Sequence, residues 1–224
     1  MKEMRWIDLS RELSDGMPVY PGDPGVRMET LRTVARDQYH MESLSACMHA
    51  GTHLDAPKHF LETGGDVTTI PLEITAGPAN FLSVLPQGGI LRTADLRSAF
   101  ATLKDKHPRL ILSVGWDKHW GMPEYFTDYP GFEPDFGAFL TENGIVLFGW
   151  DAPSVKYGSS DQRAAHRDLL GRKIVILEGL VGLNRLPDSF FLVAMPLKLR
   201  GGDGSLVRAA AGVVETATGH GKSI

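Results

Sequence analysis

Residues 49–60 read HAGTHLDAPKHF, and this stretch is the densest group of potential nitrogen and oxygen metal ligands in the chain. Three of the eight histidines and one aspartate fall within eleven residues, as His49, His53, Asp55 and His59. Any one histidine is more commonly a hydrogen-bonded residue that binds no metal. Four ligand-type side chains this close together are instead typical of a metal centre, and we interpret the stretch as one.

The local conformation of this stretch decides where its side chains point. His49 and His53 are spaced i, i+4, which also suits a zinc-binding helix, but Gly51 and Pro57 are poor residues for a helix interior. We therefore predict a strand, in which positions 49, 51, 53 and 55 share one face and Gly51 leaves room for an ion. Pro57 must end regular strand pairing, so we expect the chain to turn there and bring His59 back toward the same ion.

The chain offers almost no sulfur for metal binding. Its single cysteine, Cys47, excludes both an internal disulfide and a cysteine-rich zinc site. The neighbours of Cys47 are Ala46 and Met48, which favour a buried small hydrophobe over a ligand. Histidine and carboxylate ligands suit Zn²⁺, Mn²⁺ and Fe²⁺, so ligand type alone does not choose among these ions.

Two residues farther along the chain are candidates for completing the centre. Glu178 follows the largely apolar segment 173–177, where a carboxylate is costly unless it is hydrogen-bonded, ion-paired or metal-bound. His166 lies twelve residues earlier in a helical pattern at 159–171, so a helix followed by a strand could bring both to one end of a sheet. Taken alone, the spacing favours His166 as a helix-surface residue, and Glu178 is equally well explained as a strand end with a basic partner.

Short apolar segments rich in β-branched residues recur along the chain and predict strands. They lie at 81–85, 109–115, 144–150, 173–178 and 190–195. Further helices are predicted at 93–103 and 134–142, where apolar residues recur with helical spacing. We therefore predict one α/β domain over 1–214, with several strands buried on both faces, and an unstructured tail at 215–224.

Composition limits the classes of partner. The chain has 224 residues, with 23 lysines and arginines against 27 aspartates and glutamates, and its basic residues are scattered. This argues against a nucleic-acid partner. No apolar segment approaches the ~20 residues that cross a bilayer, and the N-terminal MKEMRWIDLS has charges where a signal peptide needs an apolar core. We expect a cytoplasmic protein with a small-molecule substrate.

Several segments together resemble the cyclase family of metal-dependent hydrolases, which includes bacterial kynurenine formamidase (arylformamidase) and isatin hydrolase. They are IDLSRELSDGMPVYPGD at 7–23, HAGTHLDAPKHF at 49–60, GWDAPSV at 149–155, AAHRDLLGRKIVILEGL at 164–180 and MPLKLRGGDGSLVRA at 195–209. The HxGTHxDAPxHF pattern is the most specific of these. The resemblance implies a swivelling β/β/α fold with a central mixed β-sheet or barrel-like core and flanking helices. It also implies a homodimer or homotetramer.

The resemblance further implies two metal positions that share one carboxylate. The implied ligands are His49, His53 and Asp55 at the first position and Asp55, His166 and Glu178 at the second. His59 matches the residue with the role of proton donor and acceptor. The cofactor expected on this basis is a divalent metal, Zn or Mn, with one or two ions per chain.

Two departures from the family pattern, and one segment that resembles an insertion in some family members, concern the substrate. Kynurenine formamidases place a substrate-contacting tryptophan just before the Pro-Gly-Asp turn, where this chain has Tyr20, which either contacts substrate or packs the loop. The usual Asp-Thr-Pro-Ser segment is DAPS at 151–154. The segment 115–132 resembles a longer insertion, and its aromatic residues either line a substrate pocket or only pack.

Together with the family resemblance, these residues predict a metal-dependent hydrolase of a non-peptide C–N bond in an amide, formamide or lactam. The resemblance implies N-formylkynurenine as the best single substrate. The chain has no Gly-x-Ser-x-Gly elbow that would support a serine hydrolase. An isatin hydrolase-like enzyme, or another cyclic amide or ester hydrolase, is an alternative. His53, Asp55 and His166 also form the ligand set of a non-haem Fe(II) oxygenase. A third alternative is a metal-bearing binding protein without catalysis.

Overall fold

A mixed sheet of nine strands and two sheets of two strands organise residues 4–214, the part of the chain that the computed structural model describes. In chain order the strands are β1 (Met4–Asp8), β2 (Arg27–Arg32), β3 (Met41–Ser45), β4 (His53–Asp55), β5 (Ala76–Ser83), β6 (Ile90–Leu91), β7 (Arg109–Ser113), β8 (Gly131–Phe132), β9 (Leu147–Trp150), β10 (Val175–Glu178), β11 (Ser189–Val193), β12 (Gly204–Leu206) and β13 (Ala210–Val214). The helices are α1 (Val34–Asp37), α2 (Leu72–Thr75), α3 (Thr93–Ala101), α4 (Phe136–Glu142) and α5 (Gln162–Gly171). The tail predicted at 215–224 lies outside the described residues.

The large sheet has the strand order β1-β13-β11-β5-β7-β9-β10-β4-β12. The four central strands, β5, β7, β9 and β10, pair in parallel, and the strands beside them pair antiparallel. Every residue of β9 and β10 is buried, as expected for parallel strands that are covered on both faces. The predicted α/β class with a central mixed sheet is therefore confirmed.

Each apolar segment that predicted a strand overlaps an observed strand, and these are β5, β7, β9, β10 and β11. The sequence pattern does not predict β1, β12 and β13, or the β2–β3 hairpin. All but one of the hairpin's strand residues are exposed. Such strands lack the alternation of apolar and polar residues from which a half-buried strand is predicted.

Helices α3 and α4 form within the predicted amphipathic segments and cover one face of the sheet. Phe100 of α3 and Phe136 and Phe139 of α4 are buried and belong to the same core cluster as Phe148 and Trp150 of β9. Complete burial of an aromatic or aliphatic side chain of this kind contributes about 1.5–3 kcal/mol. The helices thus fix the sheet from which the candidate site is built.

Helix α5 carries one of the predicted site residues. It begins after Asp161, whose side chain caps the helix by accepting a hydrogen bond from the backbone N–H of Ala164 at 3.0 Å. His166 lies on its buried face and is only 2% exposed. The interpretation of His166 as a helix-surface residue, which spacing alone favours, is therefore wrong.

Among residues 4–214, no helix combines the length and the apolar character needed to cross a membrane.

Candidate metal centre

Strand β4 holds the centre of the candidate site, between β10 and β12. His53 is paired with Glu178 of β10, and Asp55 is paired with Gly204 of β12. Because side chains alternate along a strand, His53 and Asp55 project to the same face, while Leu54 packs into the core on the other. Both polar side chains are buried, and Asp55 is completely so.

The strand predicted for residues 49–55 is shorter in the structure, because only His53–Asp55 is paired. His49 lies in a turn in which the backbone N–H of Ala50 donates to the carbonyl of Cys47 at 3.2 Å. Gly51 has a φ of +61°, in the left-handed region that glycine tolerates and a regular strand excludes. His49 therefore reaches Asp55 from the turn, with 2.9 Å between its Nδ1 and Asp55 Oδ1.

His59 is the last residue of a 3-10 turn at Pro57–His59, and this turn brings its side chain back to the site. Its ring stacks on that of His49, with centroids 3.9 Å apart and planes inclined by 23°. Its Nδ1 lies 3.3 Å from Asp203 Oδ2. Burial lowers the pKa of His59, although the neighbouring carboxylate of Asp55 opposes that shift.

The tautomer of His53 follows from its backbone partner. Its Nδ1 lies 3.1 Å from the carbonyl oxygen of Gly51, which can only accept, so Nδ1 carries the hydrogen. Burial lowers the pKa of His53 to about 4, so the ring is neutral and Nε2 carries a lone pair. That lone pair faces Glu178 Oε2 at 3.3 Å and Asp55 Oδ1 at 3.5 Å.

His166 has the same arrangement on the opposite side of the carboxylates. Its Nδ1 donates to the carbonyl of Gln162, one turn earlier in α5, at 2.7 Å. This leaves Nε2 directed at Asp55 Oδ2 at 3.5 Å and at Glu178 Oε1 at 3.7 Å. Two buried histidines thus direct Nε2 at the same pair of carboxylates.

The carboxylates of Asp55 and Glu178 are both buried at this point. Burial, together with the negative charge of Asp55, raises the pKa of Glu178 well above its usual range. Burial also opposes ionisation of Asp55, but the hydrogen bond from His49 and the surrounding histidines hold its pKa below its usual range. Glu178 Oε1 accepts a hydrogen bond from the backbone N–H of Val155 at 2.8 Å, whereas Asp55 Oδ2 has no hydrogen-bond partner among the described residues.

These donor atoms fit a divalent cation. A buried carboxylate oxygen without a partner is costly, and imidazole lone pairs aimed at carboxylates stabilise nothing unless a positive charge lies between them. Imidazole nitrogen and carboxylate oxygen are ligands that such cations accept. The two histidines also donate their other N–H to a backbone carbonyl, which is the usual support of a metal-bound imidazole.

Two sets of residues each bring their potential ligand atoms within 4.8 Å of one another, and both sets include Asp55. They are the sets His49, Asp55 and His59, and His53, Asp55 and Glu178. The second set brings together His53 and Glu178, which the family resemblance assigns to different metal positions. All six predicted centre residues therefore meet around Asp55, and their division between two ions stays a prediction.

Asp203 is a site residue that sequence reasoning missed. Its Oδ2 lies 3.2 Å from His49 Nε2, on the side opposite Asp55. Burial would lower the pKa of His49, but the hydrogen bonds to Asp203 and Asp55 raise it to about 11, and the same contact lowers the pKa of Asp203 to about 2. A cation bound at His49 must displace one of these protons. The signals for Asp203 in the sequence are its place in the glycine-rich loop LRGGDG at 199–204 and in the family-like segment 195–209.

We expect Gly204→Ala to disturb His49 directly. A methyl group at position 204 would lie 2.7 Å from His49 Cε1 and 2.8 Å from the carbonyl oxygen of Leu54, and neither can withdraw without moving the site. Metal affinity should fall by about 10–100-fold, as when the support of a metal-bound imidazole is lost. Metal titration of the purified variant measures this, and Gly25→Ala, whose added carbon meets nothing within 4 Å, is the matched control. Equal affinity of the two variants would contradict the expectation.

A cavity of about 330 Å³ opens beside these ligands. Its aromatic lining consists of Tyr20, Phe60, Trp120, Tyr125 and Phe126. Three of these residues come from the segment 115–132, so aromatic side chains of that segment line the pocket. The volume is in the range of small-molecule sites, and flat apolar walls with a polar floor favour an aromatic ligand.

The aromatic wall is held at both ends. The Arg11 guanidinium carbon lies 4.0 Å from the ring centroid of Trp120 and 4.9 Å from that of Tyr125, as cation–π contacts. At the other end, Gln162 Nε2 donates to the Tyr20 hydroxyl at 2.7 Å. Tyr20 lies in the cavity wall and packs edge-on against Phe126, with centroids 5.7 Å apart.

Cys47 is partly buried and lines the cavity, which differs from the predicted buried hydrophobe. Its Sγ donates to Asp23 Oδ2 at 3.6 Å. Burial raises the pKa of the thiol, which keeps it protonated in the absence of a ligand.

Comparison with known proteins identifies the relatives of the chain. The family model Cyclase, described as "Putative cyclase", matches residues 7–157. The kynurenine formamidase of Geobacillus thermodenitrificans (strain NG80-2) is 36% identical over 211 residues, which is 92% of this chain and 96% of that protein. The kynurenine formamidase of Salinibacter ruber (strain DSM 13855 / M31) is 34% identical over 209 residues, covering 92% and 96%.

A solved structure shares the fold. Isatin hydrolase A from Labrenzia aggregata, bound to benzyl benzoate, superposes with a TM-score of 0.85 at 25% identity, over 95% of this chain and 94% of that one.

Proposed function

Because this chain belongs to the cyclase family, we propose that it is a metal-dependent hydrolase of non-peptide C–N bonds whose substrate is N-formylkynurenine. One observation carries the proposal: buried imidazole lone pairs and carboxylates converge on Asp55 beside an aromatic-lined cavity. The relatives named kynurenine formamidase support an aryl formamide as the substrate class. The oxygenase alternative has no support among these relatives, and its three ligands would leave Glu178 and His49 unexplained.

The cofactor we propose is Zn²⁺ or Mn²⁺, with one or two ions per chain. When bound, such a cation supplies hydroxide from water at neutral pH and polarises the scissile carbonyl. Asp55 would be shared between the ions, since it belongs to both sets of ligand atoms. His53 and His166 would bind through Nε2, because their Nδ1 hydrogens are held by backbone carbonyls.

His59 is the residue that we propose to move the proton. It is less buried than the other site histidines, lines the cavity, and has Nδ1 beside a carboxylate, which leaves Nε2 for the reaction. It would accept a proton from the attacking water and deliver it to the leaving nitrogen. An imidazole suits both steps, because its ordinary pKa of ~6.5 is near working pH.

The cavity wall would bind the aromatic part of the substrate. Tyr125 and Phe126 meet edge to face, with centroids 4.8 Å apart, so their positions are fixed before a ligand enters. A lactam such as isatin is the second candidate substrate, favoured by the similarity to isatin hydrolase A. The two substrates differ in whether the scissile bond lies within a ring.

The test is turnover by metal-free protein after single ions are restored. We expect N-formylkynurenine hydrolysis to appear with Zn²⁺ or Mn²⁺ and to proceed equally well without oxygen. Isatin, formanilide and an aliphatic amide serve as comparison substrates. Activity that required oxygen, or a protein that bound metal and hydrolysed none of these compounds, would contradict the proposal.

Tyr20 provides a prediction about selectivity. Tyr20→Ala should lower kcat/KM for aromatic substrates by about 10-fold, mainly through KM, because it removes one flat face of the cavity. Tyr20→Trp should retain the aromatic face and change the ratio of formamide to isatin turnover. Aliphatic amides are the control, since they gain little from a flat surface. Unchanged kcat/KM values in both variants would show that Tyr20 does not contact the substrate.

For the assembly, we propose a homodimer or homotetramer. Trp6, Gly212 and Phe191 lie side by side on β1, β13 and β11, and the side chains of Trp6 and Phe191 are exposed on that face. Exposed apolar patches of this kind favour protein contact. Light scattering of the purified protein tests this, and a monomer at micromolar concentration would contradict it.

A further inference from the structure

Asp203 lies where one carboxylate oxygen serves two imidazoles. Its Oδ2 is 3.2 Å from His49 Nε2 and 3.3 Å from His59 Nδ1. The two rings are stacked 3.9 Å apart, so one acceptor can face both ring edges. Asp203 belongs to neither set of candidate ligand atoms, so we expect no cation between its carboxylate and the two rings. Because a carboxylate at neutral pH only accepts hydrogen bonds, each ring nitrogen that faces Asp203 must carry the hydrogen.

The loop that carries Asp203 is fixed from several directions. The backbone carbonyl of Asp203 accepts from the N–H of Ala56 at 2.9 Å, directly after β4. The next residue, Gly204, begins β12 opposite Asp55. On the outer side, the N–H of Gly201 donates to Asp66 Oδ2 at 2.6 Å. The carboxylate is thus anchored to the same strand as the candidate ligands.

We propose that Asp203 is a positioning residue that holds His59 with its hydrogen on Nδ1 and His49 with its hydrogen on Nε2. This leaves His59 Nε2 as the proton-transferring atom and His49 Nδ1 as the atom that faces Asp55. The proposal rests on the proposed hydrolase function for the role of His59. A carboxylate that orients an imidazole in this way fixes the productive tautomer without touching the substrate.

The variant that tests the proposal is Asp203→Asn, with Asp66→Asn as the matched control. The Asp203 side chain is 43% exposed, so the amide can reach water and the variant should fold. Asp66 is a partly exposed carboxylate that anchors the same loop and contacts no histidine in the described residues. The control therefore reproduces any effect that comes from loop placement alone.

The kinetic arm compares two formyl compounds on zinc-loaded protein. Formanilide needs a proton on its leaving nitrogen, whereas 4-nitrophenyl formate releases its leaving group as an anion. We expect Asp203→Asn to lower kcat on formanilide by about 10²-fold, the low end for a positioned acid or base. The loss on the ester should be smaller, because the ester needs His59 only to accept the proton of water, and KM should change little. The Asp66→Asn variant should match the parent on both. An equal loss on both substrates would overturn the role through His59.

Two further readouts do not depend on activity. The ¹⁵N shifts of His59 in the zinc-loaded parent should show hydrogen on Nδ1, and Asp203→Asn should show a mixture of tautomers. Zinc affinity should fall by about 10–100-fold through the lost support of His49. Unchanged tautomer and affinity would overturn the proposal even if activity fell.

A double variant shows whether Asp203 affects kcat through His59 and not through His49. In a His59→Ala background, Asp203→Asn should lower kcat no further at saturating zinc, because the group through which it acts is gone. A second full loss there would overturn the proposal. If the parent hydrolysed neither formyl compound, the proposed function would fail, and the tautomer and affinity measurements would still decide the role of Asp203.

Discussion

Asp55→Ala is expected to remove bound metal and activity together. Asp55 is the only residue shared by both sets of candidate ligand atoms in residues 4–214, so its loss affects either metal position. Without a cation to generate hydroxide, turnover should fall by at least about 10³-fold. Elemental analysis of the purified variant measures the bound metal, and kcat/KM on N-formylkynurenine measures the activity.

Asp55→Asn is the companion variant, because it keeps the shape of the side chain and removes the charge. We expect it to lose metal as well, whereas Asp66→Asn should keep its metal, because Asp66 contacts none of the candidate ligands among the described residues. Circular dichroism on each variant separates loss of metal from loss of fold. Full metal content in both Asp55 variants would show that the centre is assigned to the wrong residues.

His59→Ala is expected to separate catalysis from metal binding. If His59 mainly moves protons, kcat should fall by about 10²–10⁴-fold, the usual contribution of a positioned acid or base, while most of the metal stays bound. The partner measurement is His49→Ala, which should lose both metal and activity. His107→Ala is the control, since His107 is a partly buried histidine whose Nε2 lies 2.9 Å from Ser189 Oγ, outside the cavity lining.

Equal loss of metal in His59→Ala and His49→Ala would reassign His59 as a ligand. The geometry permits either role, ligand or proton-transferring group, because His59 belongs to one of the sets of close ligand atoms and also lines the cavity. The metal content of the two variants distinguishes these roles.

The central strands could be predicted from the sequence because burial on both faces produces long apolar segments, as in β9 and β10. The strands at the two ends of the large sheet, β1 and β12, could not. β12 has three residues and β1 has mostly exposed ones, so their pairing is set by neighbours that are distant in sequence. The prediction that the strand includes His49 is wrong for a local reason. Gly51 adopts a left-handed backbone conformation, which cannot be predicted from the presence of a glycine alone.

The residues of the candidate site also differ in how far the sequence predicts them. His53 and Asp55 could be placed on one face from strand alternation. His166 and Glu178 are predicted as ligands only through the family resemblance. Asp203 could not be found, because it meets His49 across 154 positions of sequence. Nothing in the local pattern around residue 203 differs from that of a surface loop. Only the pairing of β4 with β12 reveals the contact.

The order of strands at this edge of the sheet also bears on how the protein is made. β4 is synthesised early, but its neighbours β10 and β12 follow about 120 and 150 residues later. At ~5–20 residues per second, the ribosome needs roughly 8–30 s to go from Asp55 to β12. Throughout that interval the emerging chain holds its histidine motif without Asp203, and for most of it without Glu178. We therefore expect a nascent chain to bind the proposed metal more weakly than the finished protein until translation has passed residue 206.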